Sequence, residues 1–261
     1  MPLPNCPVDL GPSCPHWAAI VQHVNLSGVL FDAPISCSGP GPAFADGTAV
    51  FDIRIRGIPV GVMRLAGLEA EGFYAARAEI ESVGVARVFR RFSYRASVRG
   101  DVDDGDLTPL RYEEIADTGR RRSEAVLIYA EAVPSVSRFV SQSEPPADSP
   151  APATQGGTLD PLSALFSVLR DRPPGAVCGR QLIMFDGRRR SSLTLGPAQD
   201  TGDGVACDGE YRRLQGFTDE ELSRHRAFEM QLFFAPNAAG LQQSRRIAVQ
   251  SVYGLATLDR R

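Results

Sequence analysis

From residue 48 onward, apolar and polar side chains alternate with a period of two. Ala49, Phe51, Ile53 and Ile55 are interleaved with Val50, Asp52, Arg54 and Arg56. Phe92, Tyr94, Ala96 and Val98 alternate with Arg91, Ser93, Arg95, Ser97 and Arg99. The pattern returns at Phe228, Met230, Leu232 and Phe234, and at Ile247, Val249 and Tyr253 against Arg246, Ala248 and Gln250. Successive side chains of a strand point to opposite faces, so this spacing buries one face and leaves the other in water, as half-buried antiparallel strands do. Turn signals separate the runs: Gly57, Gly67, Gly72, Asp104-Gly105, Thr118-Gly119, Asp186-Gly187, Asp208-Gly209 and Asn237 to Gly240. The expected fold is mainly β: an antiparallel curved sheet, spiral or partly open barrel of about eleven or twelve strands. With 261 residues, the chain is long enough for one large all-β domain or two smaller ones. The reading taken here is a single domain over 46–261.

Two tracts break the rhythm. Residues 141–158 are Pro, Ser, Ala and Gly without period, which reads as a flexible loop or linker, either near a functional mouth or hanging in solvent. Asp160-Pro161-Leu162 then reads as a helix N-cap with proline in the first turn. Leu162, Leu165, Phe166 and Leu169 share one face, and Pro173-Pro174 ends the helix after about eleven residues. A helix of that kind among strands plugs or flanks a barrel. A second short helix is expected from Asp219 to Arg226.

Residues 1–45 read as a leader, signal-like or disordered. They contain Pro2, Pro4, Pro7, Pro12, Pro15, Pro34, Pro40 and Pro42. Ala43-Phe44-Ala45 has the small-x-small form of a secretory cleavage site, but no basic stretch opens the chain, and Gln22, His23, Asn25 and Ser27 interrupt the apolar run. A mis-chosen start is the third reading of the tract. No run of 18 apolar residues occurs, so no transmembrane helix is expected. Cys6, Cys14 and Cys37 lie in the leader; Cys178 and Cys207 lie in the body. An oxidising compartment would close that pair into a disulfide worth ~3 kcal/mol, whereas in a cytosolic protein the two would be buried free thiols.

Every one of the 28 basic residues is arginine. The absence of lysine removes Schiff-base and PLP enzymes, P-loops and kinase-type lysine–glutamate pairs. A net charge of -3 argues against nucleic acid as a partner. The runs Arg120–Arg122, Arg188–Arg190, Arg212-Arg213 and Arg245-Arg246 read as solvated strand faces and turns. There is no GxSxG and no HExxH, and His225 is the single histidine of the body, on a charged stretch where a surface role fits. No Cys/His spacing suggests zinc. Asp101, Asp103, Asp104 and Asp106 crowd together, but their glycine is misplaced for a calcium loop, so they read as an acidic hairpin turn. Glu113 and Glu114 fall on opposite faces of a strand and do not form a pair. No catalytic residue, cofactor, metal ligand or ligand-binding residue is nominated.

The tract Leu107-Thr108-Pro109-Leu110-Arg111-Tyr112-Glu113-Glu114, followed by Arg120-Arg121-Arg122 and a β-branched strand to Tyr129, is distinctive. Together with Asp160-Pro161-Leu162-Ser163-Ala164-Leu165-Phe166 and Phe185-Asp186-Gly187-Arg188 it resembles the domain of unknown function 3108 family. The opening Phe51-Asp52-Ile53-Arg54-Ile55-Arg56-Gly57-Ile58-Pro59-Val60-Gly61 is similar to that family's first hairpin, and the resemblance runs over about residues 48–258. The leader and the proline-rich insertion depart from it. The resemblance implies export into the envelope of Gram-negative bacteria, a curved β fold in the style of periplasmic β-spirals and lipoprotein-carrier half-barrels, and no catalytic residues to carry over.

Three functions are compatible with these readings. The first is a non-enzymatic periplasmic β protein that binds a lipid, acyl chain or peptide, or an envelope protein partner, in envelope maintenance. The second is a structural module that assembles by strand addition. The third is a carboxylate-dependent hydrolase, which requires two acids converging in one cleft.

Overall fold

The computed structural model describes residues 47–84, 92–118, 122–141 and 145–261. The expected leader, residues 1–45, lies outside the described residues. The first seven strands are β1 (Gly47–Ile55), β2 (Ile58–Ala70), β3 (Phe73–Ser82), β4 (Ser93–Asp103), β5 (Asp106–Asp117), β6 (Arg122–Ala130) and β7 (Val133–Ser141). Helix α1 (Pro161–Leu169) follows, then β8 (Arg180–Phe185), β9 (Arg190–Leu195), β10 (Gln199–Asp200) and β11 (Val205–Gln215). Helix α2 (Asp219–Arg224) precedes β12 (Ala227–Pro236), β13 (Gln242–Ser251) and β14 (Gly254–Arg260). The mainly β, antiparallel expectation holds. The described strands number 14 rather than eleven or twelve. Two-residue β10 is too short to show a period, and β8 reads Arg-Gln-Leu-Ile-Met-Phe without alternation.

Local chemistry sets the hairpins. Arg56-Gly57, Glu71-Gly72 and Asp104-Gly105 all take left-handed backbone angles, the two-residue turn whose twist matches the flanking strands. Glycine supplies the second position at no steric cost. Glu131-Ala132 makes the same turn without glycine, at φ 50° and 60°, and so carries no sequence signal. Two of the expected turn glycines sit inside strands instead. Gly67 lies within β2 and Gly209 within β11. A Cβ at Gly67 would lie 2.8 Å from Cδ2 and Cζ of Phe166, and one at Gly209 would crowd Leu195 and Met230. These glycines admit a close neighbour rather than bend the chain. Gly119, Arg120 and Arg121 lie outside the described residues.

One sheet results, in the order β7-β6-β5-β4-β3-β2-β1-β14-β13-β12-β11-β9-β8, with β10 beside β11. The last strand returns to pair with the first, Phe51 opposite Arg260 and Ile55 opposite Ala256. The ladder stays open between β7 and β8. The chain connecting those strands bridges part of the opening: Gly157 N–H donates to the Ala132 carbonyl at 2.9 Å, and Leu159 pairs with β8 through Ile183 and Phe185. Most of the expected free loop, residues 145–158, is therefore docked on the sheet, with Gln155 only 2% exposed and Thr158 buried beside it. Backbone donors and acceptors at both ends of an open ladder require partners, and this tract supplies them.

Helix α1 lies inside the curve and touches β3, β4, β5, β8 and β13. It runs for 9 residues rather than about eleven, and Leu162, Ala164, Phe166, Val168 and Leu169 are all buried, so it plugs the barrel rather than flanking it. The leucines, Phe166 and Val168 each contribute ~1.5–3 kcal/mol on removal from water, and Ala164 less. Around it pack Phe51, Met63, Leu65, Tyr74, Tyr112, Leu127, Phe185, Leu195, Leu232, Phe234 and Ile247, the inward residues of the alternating strands. Tyr253 departs from that set. It occupies the β13–β14 turn and is 61% exposed, because the alternation stops at Ser251. Helix α2 ends at Arg224, two residues earlier than expected, and is capped by a reciprocal Thr218–Glu221 box.

Candidate functional site

A cavity of about 560 Å³ opens where α1 ends. It is bounded by the start of β1, the β2–β3 and β4–β5 turns, the β12–β13 loop and residues 169–176. Its walls combine apolar side chains (Leu65, Leu68, Val102, Phe166 and Leu169) with Arg170, Arg172 and Arg260. The volume falls in the range of roughly 300–1,000 Å³ typical of small-molecule sites. Gly67 matters here: the bare backbone of β2 lets the Phe166 ring lie against the wall, where it also stacks with Tyr74 at 6.1 Å.

The arginines at the cavity differ in their partners. Arg170 is the C-cap residue of α1; it pairs with Glu69, donates to the Gly105 carbonyl at 2.5 Å and lies over the Phe166 ring. Arg260 pairs with Asp171 at 3.4 Å. Behind the cavity, Arg180 donates to the Ser167 carbonyl at 3.2 Å and to the Ser167 hydroxyl, and so satisfies the last turn of α1. Burial, and then repulsion from neighbouring arginines, lowers Arg170 to about 9 and Arg180 to about 10.

A second polar group is enclosed in the core. Asp160, 0% exposed, accepts from Leu162 N–H and Ser163 N–H at 2.9 Å each and from the Ser163 hydroxyl at 2.5 Å. The Ser163 hydroxyl also meets Tyr74 OH at 2.6 Å. Nearby, Tyr94 OH and Tyr112 OH share a 3.0 Å hydrogen bond, and Tyr112 donates to Glu114 at 2.5 Å. Burial pushes Asp160 up to about 6 and also raises Glu114 and Asp186. None of these three carboxyls lines the end cavity or the outer groove described below. The acids whose titration burial perturbs are thus not the acids at either opening.

Asp160 gives a pH-dependent stability. The native carboxyl holds its proton more tightly than the unfolded one, so its ionisation favours unfolding. This contribution to stability is present in full below pH 3.8 and is lost as pH rises to about 6. Asp160→Asn keeps an acceptor for the two backbone donors but carries no charge. The variant is expected to gain on wild type by ~1–3 kcal/mol between about pH 4 and pH 7.5, read as thermal midpoints at each pH. A constant difference across that range would refute the assignment.

The remaining residues of interest are dispersed. A shallow groove of about 770 Å³ crosses β9 and β11 to β14 on the outside of the sheet. Its Asp208 accepts from Gln199 and Gln231, and its Glu210 chelates Arg212. Asp104 forms the turn of an acidic hairpin, and Asp101, Asp103 and Asp106 flank it. Glu114 points inward and Glu113 outward, where it pairs with Arg111. His225 is exposed as the C-cap of α2. Arg188 and Arg189 are less solvated than expected: their N–H groups bind Asp186, and Arg189 also pairs with Glu221 and lies over Phe217. Cys178 and Cys207 are joined in a disulfide with Cα atoms 5.8 Å apart, which ties the chain leaving α1 to β11. Edge strand β7 carries Pro134, and Phe139 near its end meets the β8–β9 turn at Gly187. No helix among the described residues is long and apolar enough to cross a membrane.

A curved antiparallel β protein, plugged by one helix and opening at one end into a part-apolar, part-cationic cavity, is the class that fold and site define. The chain belongs to the family described as protein of unknown function (DUF3108), whose model matches residues 50–212. No curated protein matches it. A solved structure from Brucella abortus, described as a beta-barrel-like protein of domain of unknown function DUF1849, is similar at 9% identity and a TM-score of 0.46, over 82% of this chain and 94% of that one.

Proposed function

We propose that this chain is a non-enzymatic binding protein of the bacterial cell envelope, working in the periplasm, which holds an acyl chain in its end cavity. The observation that carries this reading is the cavity itself, lined by Leu65, Leu68, Val102, Phe166 and Leu169, of which Leu68 and Val102 stay partly exposed at the end of an otherwise packed core. Interior apolar surface left uncovered costs stability unless a ligand offsets it. The Cys178–Cys207 disulfide supports an oxidising compartment. Of the acids at the cavity, Glu69 and Asp171 are held by Arg170 and Arg260, which supports a binding role over hydrolysis.

The test uses the full chain and the neutral fluorophore N-phenyl-1-naphthylamine. Saturable binding of one probe per chain is expected, with tenfold or greater weakening by Leu68→Asp, which places a charge in the wall. Absence of saturable binding would overturn the reading. Compartment is checked separately, by alkylating intact cells before any reduction. Cys178 and Cys207 are expected to resist labelling; ready labelling of both would refute a periplasmic location.

A further inference from the structure

Arg172 is the one arginine of the end cavity whose guanidinium has no described carboxylate partner. Its Nε and Nη1 are buried and lack any hydrogen-bond acceptor. The backbone cannot relieve this by moving, because Arg172 N–H donates to the Gln242 carbonyl at 3.0 Å and Gln242 N–H donates to the Arg172 carbonyl at 2.7 Å. Burial lowers its pKa, and Asp106 is the acid that opposes this, from beyond ion-pair distance. The other acids of the cavity do not serve it. Glu69 is committed to Arg170, and Asp171 accepts from Arg260, Asn237 and Gln243. Glu71 and Asp104 sit exposed on the β2–β3 and β4–β5 turns. Buried guanidinium donors without an acceptor are costly, and the fork of an arginine matches the oxygens of a carboxylate or phosphate.

We propose that Arg172 anchors the anionic head, a carboxylate or phosphate, of an acyl-chain amphiphile seated in the end cavity. The proposal rests on the acyl-chain reading above and adds the charge of the ligand. Leu65, Leu68, Val102, Phe166 and Leu169 receive the chain, and Arg172 at the chain's exit from α1 receives the head. Arg170 adds positive potential while keeping its own partners, Glu69 and the Gly105 carbonyl. The same geometry accounts for the unfavourable ligand-free state: the donors left idle in Arg172 are satisfied only when an anion arrives.

The experiment compares palmitate, 1-monopalmitoylglycerol and inorganic phosphate by displacement of N-phenyl-1-naphthylamine and by thermal shift, on the full chain and on Arg172→Gln. Palmitate is expected to bind wild type at least tenfold more tightly than the neutral monoglyceride. Arg172→Gln is expected to remove that preference and leave monoglyceride affinity within twofold. It is also expected to raise the ligand-free thermal midpoint, since a half-buried cation with unsatisfied donors has been removed; a merely structural arginine would lower it. Equal affinity of wild type for palmitate and monoglyceride would overturn the proposal and leave the acyl-chain reading standing. Failure of both amphiphiles and of the probe to bind would overturn both. Stabilisation by phosphate equal to that by palmitate would mark a site for a small free anion and likewise refute an amphiphile.

Discussion

Removing the disulfide with the pair Cys178→Ala and Cys207→Ala is expected to cost ~3–4 kcal/mol. The bridge closes a loop with a sequence separation of 29, which restricts the unfolded chain far more than the folded one. In a body of this size that loss corresponds to a fall in midpoint of about 7–14 °C. Both cysteines are replaced together because Cys6, Cys14 and Cys37 offer a freed thiol other partners. The same bond fixes residues 172–178, which floor the end cavity, so N-phenyl-1-naphthylamine binding should weaken in parallel. Wild type kept in dithiothreitol should behave as the variant does. Coincident denaturation curves for oxidised wild type, reduced wild type and variant would show that the bond contributes nothing.

Gly67→Ala is expected to be equally severe, although it adds only a methyl group. The new Cβ would fall inside the contact distance of the Phe166 ring, 2.8 Å from Cδ2 and Cζ. The ring would have to leave its place against Tyr74, and the plug helix with it. Phe166→Ala removes the ring by another route and should cost ~3–5 kcal/mol. The two changes act on one contact and cannot add. In a Phe166→Ala background, Gly67→Ala should cost below ~1 kcal/mol. Chemical denaturation of the two single variants and the double variant measures this coupling, and strict additivity would refute it.

These two cases show where the sequence is legible and where it is not. Asp160-Pro161 announced the start of α1, and its side chain does accept from Leu162 and Ser163 N–H. The glycines at 57, 72 and 105 announced hairpins, because only a left-handed turn of two residues joins such strands without splaying them. Gly67 and Gly209 carry the same letter for a different reason, close approach of a distant side chain, and no local rule separates the two uses. The turn at Glu131-Ala132 was silent because its strained angles are held by the strands on either side rather than by glycine. The proline-rich tract reads as free chain by composition, yet its backbone completes the open edge through Gly157 and Leu159.

The end cavity was the least legible feature. Its walls come from β1, β2, the β4–β5 turn, α1, the β12–β13 loop and β14, and nothing in the spacing of those residues relates them. The arginine-only composition ruled out lysine chemistry but gave each arginine the same appearance. Arg212 pairs two residues away along its own strand, and Arg246 pairs across one hairpin with Asp259. Arg170 and Arg172 meet their surroundings only after the β2–β3 and β4–β5 turns are brought to the end of α1.

By itself, the sequence determined the faces of the strands, the N-cap of α1, several of the glycine turns and the cysteines able to pair. Each follows from contacts two to four residues apart, or from the chemistry of a single side chain. Tertiary structure alone decided that β14 returns to β1, that α1 lies inside the sheet, that Asp160 is sealed in the core and that Nε and Nη1 of Arg172 are buried without an acceptor. These depend on which residues the strand register brings together from far along the chain. Burial then acts on the groups that meet there, and no periodicity records it in advance.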